Sequence, residues 1–126
     1  MRVRSFRDLV VWQKSVDFIE EVYRISAQFP IDERYALTRQ IRNAAVSVAG
    51  NIAEGSGRFT SRDYLNFISQ GRGSLKEAES HLLVAERLEF VTGAGSLRAL
   101  GLADEISRML FQLRTSIRSN DRRAGS

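Results

Sequence analysis

Hydrophobic residues recur along the chain at helical spacing, and short polar or glycine-rich breaks divide the pattern into four segments. Pro30 marks the first break, near 29–32, and glycine and hydroxyl residues mark two more, at 55–61 and 92–96. The segments between them predict helices over residues 8–28, 33–56, 61–90 and 96–118. Short connections make successive helices antiparallel neighbours. The sequence therefore predicts an all-α, up-down-up-down four-helix bundle in one domain, residues 1–118, and a flexible polar tail over 119–126.

The first predicted helix has more apolar surface than one bundle core requires. One stripe at helical spacing contains Leu9, Trp12, Val16, Ile19 and Tyr23, and a second contains Val11, Ser15, Phe18, Val22, Ile25 and Phe29. Together the stripes span about 200°, whereas a core-facing stripe of about 100–140° is sufficient in a monomeric bundle. We therefore expect one stripe to contact a second copy of the chain. The interface is assigned to Val11, Phe18, Val22 and Ile25.

The second predicted helix is poor in charge. Residues 43–57, NAAVSVAGNIAEGSG, contain one charged side chain, Glu54, which predicts burial on nearly all sides. Five polar residues nevertheless share one narrow face and form a polar seam: Gln40, Asn43, Ser47, Asn51 and Glu54. Glu54 has two interpretations, a carboxylate in a site or central pore, or a buried acid paired with an arginine such as Arg42 or Arg72. We favour the second.

The stretch GNIAEGSG at 50–57 approaches the phosphate-loop pattern G-x-x-x-x-G-K-[ST]. Ser56 occupies the lysine position, and residues 33–49 predict a helix where the loop needs a strand. We interpret Gly50 as a helical residue that admits a close neighbour, and Gly55 and Gly57 as the end of the helix. Gly71 and Gly73 indicate close helix approach in the third helix, and residues 60–63 resemble a capping box.

The sequence contains no recognisable arrangement of catalytic residues. The chain has no cysteine and one histidine, His81. Glu77 lies four residues before His81, whereas a di-metal carboxylate bundle uses Glu-x-x-His. No serine lies in a nucleophile-elbow sequence. We predict no catalytic residue, no metal and no cofactor. No apolar run has the length of a membrane helix and no secretory signal is apparent, so we expect a cytoplasmic protein without a membrane partner.

In the predicted topology, the positive charge is concentrated at one end of the bundle. The net charge is +4, and 17 of the 19 basic residues are arginine, which suits phosphate contacts and which a GC-rich genome would also give. The starts of helices one and three and the ends of helices two and four share one end, the basic end. Nine arginines and four acidic residues lie at the basic end, so its net charge is +5 and the rest of the chain has a net charge of −1. The arginines are Arg2, Arg4, Arg7, Arg58, Arg62, Arg114, Arg118, Arg122 and Arg123, and the acids are Asp8, Glu54, Asp63 and Asp121.

A basic end of this kind can bind phosphate backbones with strong salt dependence and little sequence reading, or it can be only a solvated rim. The candidate nucleic-acid-binding residues are Arg4, Arg7, Arg58, Arg62 and Arg118.

Three stretches carry a family resemblance: FRDLVVWQKSV, YALTRQIRNAAVSVAGNIAEGSGR and YLNFISQGRGSLKEAESHLLVA. They resemble the four-helix-bundle proteins encoded in intervening sequences of bacterial 23S ribosomal RNA genes. The resemblance covers residues 6–90 closely and the last helix loosely, and residues 40–58 are its most specific part. It implies a ring-shaped homo-oligomer, a pentamer. The same bundle resembles the accessory variability protein of diversity-generating retroelements, which works with a reverse transcriptase and binds nucleic acid.

These observations predict a non-enzymatic homo-oligomer that binds RNA or DNA backbone nonspecifically through its basic end. The alternative is a protein-interaction scaffold with no nucleic-acid role.

Overall fold

Four α-helices account for most of the chain. The computed structural model describes residues 5–125, with side chains through Asp121. Its helices are α1, Val10–Ser26, α2, Leu37–Ser56, α3, Ser61–Arg87, and α4, Gly93–Gly125. Short 3₁₀ turns at Phe6–Asp8 and Ile31–Glu33 precede α1 and α2. The described range contains no strand, which confirms the all-α class.

The bounds of α4 differ most from the prediction. The helix begins three residues earlier than predicted because Thr92 accepts a hydrogen bond from the Gly95 N–H at 2.9 Å, so the glycines lie in its first turn. It also continues through the predicted tail to Gly125. Residues 119–124 contain neither proline nor glycine, so nothing in that stretch stops the helix.

Each helix contacts two others in the described bundle: α1 and α3 both contact α2 and α4. Between them lies an apolar core drawn from all four helices. Helices α3 and α4 supply much of it, and Phe18, Ile41 and Ile52 complete it from α1 and α2. The fully buried large apolar side chains are Phe18, Val22, Ile41, Val48, Ile52, Leu75, Leu82, Ile106 and Leu110.

The interface assigned to α1 is contradicted by the structure. Val11, Phe18, Val22 and Ile25 belong to the chain's own core, with at most 6% of any side chain exposed. Helical spacing reveals both stripes of α1 but does not show which one faces the other helices. The outer stripe runs from Leu9 to Tyr23 and includes Trp12, Val16 and Ile19; it is half-buried, and Tyr23 is exposed. Leu9, Trp12 and Ile19 of that stripe pack against the edge of the core and keep part of their surface in solvent.

Glycine brings α2 and α3 together at two positions, of which one, Gly71, was predicted. A Cβ at Gly55 would lie 2.9 Å from the Cβ of Phe67 and 3.0 Å from the ring of Tyr64. A Cβ at Gly71 would lie 3.4 Å from that of Asn51. Gly50 is exposed, with no atom within 4 Å of a Cβ placed there, and the same is true of Gly73. The prediction of close approach is therefore wrong for Gly50 and Gly73 and correct for Gly71.

The ends of α2 and α3 are set by local hydrogen bonds. Gly57 is the C-cap of α2, as predicted, whereas Gly55 lies inside the helix. Thr60 caps α3 by accepting a hydrogen bond from the Asp63 N–H at 3.1 Å. At the other end of α3, Glu89 has a φ of 64°, and the Phe90 N–H reaches back to the Ala85 carbonyl at 2.9 Å. This is a Schellman termination with glutamate where glycine is usual.

No helix within residues 5–125 combines the length and the hydropathy that a bilayer crossing requires.

Candidate nucleic-acid interface

A groove between α3 and α4 brings two arginines of the basic end together with a third arginine from the middle of α3. Arg72 of α3 and Arg114 and Arg118 of α4 line a cavity of about 500 Å³ whose floor includes the buried Ile68 and Leu110. Arg114 and Arg118 lie four residues apart and therefore share one face of α4. We call this cavity the α3–α4 groove.

The groove arginines have no acidic partner in the described part of the chain. Arg72, Arg114 and Arg118 make no ion pair there. No aspartate or glutamate is among the described residues that line the groove. An adjoining cavity of about 320 Å³ shares Arg72 and is also lined by Arg108, which pairs with Asp104 at 2.9 Å. The groove is thus a concave cationic surface over an apolar floor.

Arg58 is held at the end of α2 by an aromatic ring and a carboxylate. Its guanidinium lies 4.4 Å from the centre of the Phe67 ring and 3.8 Å from the Glu54 carboxylate. Phe67 in turn packs against Gly55, which has no side chain to displace it. The Arg58 side chain remains 47% exposed, so it can also reach an external anion.

Two other predicted arginines, Arg7 and Arg62, are exposed but separate from the groove. Arg7 lies in the first 3₁₀ turn, with its guanidinium 5.9 Å from the centre of the Phe6 ring. Arg62 lies in the first turn of α3. Arg4 is outside the described residues. Of the five arginines chosen from sequence, the structure places Arg118 in the groove and leaves Arg7, Arg58 and Arg62 on other surfaces.

Sequence reasoning missed Arg72 and Arg108 as members of the site, and left Arg114 out of the candidate set although it counted it at the basic end. The spacing of Phe111, Arg114 and Arg118 on one helix face is a signal that could have identified the α4 side. Arg72 could be assigned to the site only from the packing of α3 against α4, because its neighbours in the groove are about forty residues away in sequence.

The polar seam of α2 is only partly a contact between helices. Ser47 hydrogen-bonds the Ser74 hydroxyl of α3 at 2.8 Å, and the Asn51 amide donates to the Ser47 carbonyl at 2.9 Å. Gln40 and Asn43 are exposed. Glu54 is 63% exposed and pairs with Arg58, so its interpretation as a buried acid paired with Arg42 or Arg72 is wrong. Its helix turns that position away from the core.

Charged residues between α1 and α4 are paired, unlike those in the groove. Glu21, 13% exposed, receives a hydrogen bond from Arg24 at 2.6 Å and lies 3.6 Å from Arg98. The hydrogen bond from Arg24 is the main cause that lowers the pKa of Glu21, aided by the charges of Arg24 and Arg98 and opposed by burial. Lys14 of α1 pairs with Glu105 of α4 at 3.5 Å.

The single histidine, His81, lies on α3. Nε2 of His81 is buried and has no hydrogen-bond partner in the described structure. Over the same residues, no three histidine, aspartate or glutamate side chains are grouped so that they could hold a metal ion.

Comparison with known proteins identifies a family and a fold. The family model for the 23S rRNA-intervening sequence protein matches residues 7–112. A solved structure of a protein of unknown function from the S23 ribosomal protein family of Bacteroides thetaiotaomicron VPI-5482 is similar, with a TM-score of 0.75 and 22% sequence identity. The similarity covers 82% of this chain and 97% of that one. At this identity it shows the shared fold alone. No curated protein matches the chain.

Proposed function

The chain belongs to the 23S rRNA-intervening sequence protein family, and from that premise we propose that it is a non-enzymatic, self-assembling bundle that binds RNA or DNA backbone through its basic end. The observation that carries the proposal is the α3–α4 groove. Arg72, Arg114 and Arg118 line it without an ion pair or a lining carboxylate in the described structure. Unpaired arginines on a concave surface suit phosphate oxygens, which guanidinium binds in a bidentate manner.

The proposal includes an up-down-up-down order of the helices. Contacts between α2 and α3 support it, since Gly55 meets Phe67 whereas Ser47 meets Ser74. Contacts between α1 and α4 support it in the same way, since Lys14 pairs with Glu105 and Glu21 with Arg98. In that order the start of α3 lies beside the end of α4. Arg58 and Arg62 then add positive charge to the same end of the bundle, outside the groove.

Self-assembly would use the outward side of α1 and α2. Trp12, Val16, Ile19 and Tyr23 form the outer stripe of α1, and the exposed Val46 and Gly50 lie on α2. The family resemblance implies a ring of five subunits. In a ring of parallel subunits the basic ends would gather on one face, and each copy would add its arginines to the same backbone-binding surface.

Binding of this kind is electrostatic and has a defined salt signature. Each phosphate neutralised by an arginine releases condensed counterions, so the logarithm of the affinity falls linearly with the logarithm of the salt concentration. Discrimination between sequences would be small, because phosphate contacts position a protein without reading bases.

The test is fluorescence anisotropy with a structured RNA and a duplex DNA at several salt concentrations. The double variant Arg72→Gln/Arg118→Gln is expected to bind both about tenfold more weakly at low salt, with the magnitude of its salt slope smaller by about 2. The control is Arg87→Gln, an exposed arginine without an ion pair in the described structure, at the far end of α3. It should behave as wild type.

Absence of binding at low salt, or binding that the double variant leaves unchanged, would overturn the proposal. With assembly intact, that result would favour the protein-interaction scaffold instead.

A further inference from the structure

An exposed aromatic ring lies among the groove arginines. Phe111 is 64% exposed, yet it lines both the α3–α4 groove and the adjoining cavity. Leu110, beside it in sequence, is buried in the core. The helix thus divides two neighbouring apolar residues between the core and the groove, and the larger of them is left in solvent.

Cations flank this ring on both helices. Arg72 lines both cavities with Phe111, and the Arg114 guanidinium lies 6.0 Å from the centre of the ring. Arg108 lines the adjoining cavity and Arg118 lines the far part of the groove. Because the two cavities share Phe111 and Arg72, the concave surface continues on either side of the ring.

We propose that the α3–α4 groove binds an unpaired RNA or DNA strand, with a base stacked on Phe111 and the flanking phosphates on Arg72, Arg114 and Arg118. This inference rests on the proposed function and names the form of nucleic acid that the site takes. The bases of a duplex are stacked on one another and do not offer their faces to a protein ring. An unpaired strand offers them freely, and alternating aromatic and cationic contacts are the usual way of holding it.

The chemistry of the groove favours a strand over a peptide. An acidic peptide would satisfy the arginines but would leave the ring and the apolar floor of Ile68 and Leu110 without a planar partner. Base stacking tolerates any sequence, because every base has a π-face. The site would therefore distinguish single strands from duplexes without reading sequence.

The experiment compares an oligouridylate and an oligothymidylate with a duplex of the same length, by fluorescence anisotropy at one low salt concentration. Wild type should bind the single strands more tightly than the duplex. Phe111→Leu should weaken single-strand binding about tenfold and leave duplex binding unchanged, while Phe111→Trp should keep the preference. Phe59→Leu is the control, since Phe59 is fully exposed between α2 and α3, outside the groove.

The results separate the two proposals. Loss of all binding in wild type would overturn the proposed function. Binding that persists, but without a single-strand preference or with equal losses on both ligands in Phe111→Leu, would overturn this inference alone. Displacement of the strand from wild type by polyglutamate at equal charge concentration would also overturn it, because a peptide would then occupy the groove equally well.

Discussion

The α2–α3 contact and the α1–α4 contact hold one bundle together by different means. Where α2 meets α3, small residues let the helices approach, with Gly55 against Phe67 and Gly71 against Asn51. Where α1 meets α4, opposite charges bridge the helices, as in the pair Glu21–Arg98. Arginine at the α1–α4 contact is therefore engaged within the chain. Arginine in the α3–α4 groove has no such partner in the described structure and is available to a ligand.

The largest expected effect on stability comes from closing the space at Gly55. Gly55→Ala places a Cβ 2.9 Å from that of Phe67, an atom fixed to the α3 backbone that cannot rotate away. We expect a loss of about 2 kcal/mol in the free energy of unfolding, measured by urea denaturation. Arg58 should also become more mobile, because it rests on the Phe67 ring.

Gly57→Ala is the matched control for this change. A Cβ at Gly57 would lie 3.6 Å from the Glu54 carbonyl oxygen and 3.9 Å from that of Ala53, which are ordinary contacts, and its φ of −91° suits alanine. Its stability should stay within about 0.5 kcal/mol of wild type. If Gly55→Ala is equally mild, glycine is not what brings α2 and α3 together.

The second prediction concerns the charged contact. Glu21→Gln should lower the free energy of unfolding by at most about 1 kcal/mol at neutral pH, since the arginines paired with Glu21 are largely exposed to solvent. The folded state lowers the pKa of Glu21, so the carboxylate stabilises fully above its unfolded pKa of about 4.3. That contribution is lost as the pH falls through the lower, folded pKa. The difference between wild type and Glu21→Gln should therefore shrink below about pH 4.

Urea denaturation across this pH range measures the effect. Glu20→Gln serves as control, since Glu20 is exposed on the same helix and makes no ion pair within residues 5–121. A difference between wild type and Glu21→Gln that stays constant from neutral to acid pH would argue that α1 and α4 meet through packing alone.

The smallest effect distinguishes an exposed glycine of α3, Gly73, from an exposed glycine of α2, Gly50. Replacing an exposed helical glycine by alanine normally raises the free energy of unfolding by roughly 0.5–1 kcal/mol. Gly73→Ala should show that gain. Gly50→Ala should not, because we propose that another copy covers this side of α2. It should instead shift the mass seen by light scattering toward smaller species. Equal stabilisation by both changes, with unaltered assembly, would mean that Gly50 faces solvent.

The sequence was sufficient to predict the helices but not to predict which side of each helix faces the core. Apolar spacing predicted four helices, because an amphipathic helix shows its period in the sequence. On α1 two apolar stripes compete, and only the contacts with α2 and α4 decide that Phe18 faces inward. Gly50 and Gly55 are five residues apart, so they lie on different sides of α2 and cannot share one explanation.

The candidate site was predicted in part for a similar reason. Helical spacing places Arg118 beside Arg114, since local geometry relates residues on one helix. Arg72 joins them only through the register between α3 and α4, which no local pattern contains. The burial predicted for Glu54 failed because a charge-poor helix can still turn its few polar side chains to solvent.

The α1–α4 contact has a consequence for how the chain folds. The other helix contacts join neighbours in sequence, whereas this one joins the first helix to the last. Contacts between sequence neighbours form early because they close short loops, and a contact between distant segments costs more chain entropy. We therefore expect the contact between α1 and α4 to form last and to open first. A bundle opened there would uncover Phe18 and Val22, so α1 is the segment most exposed to exchange between newly made copies.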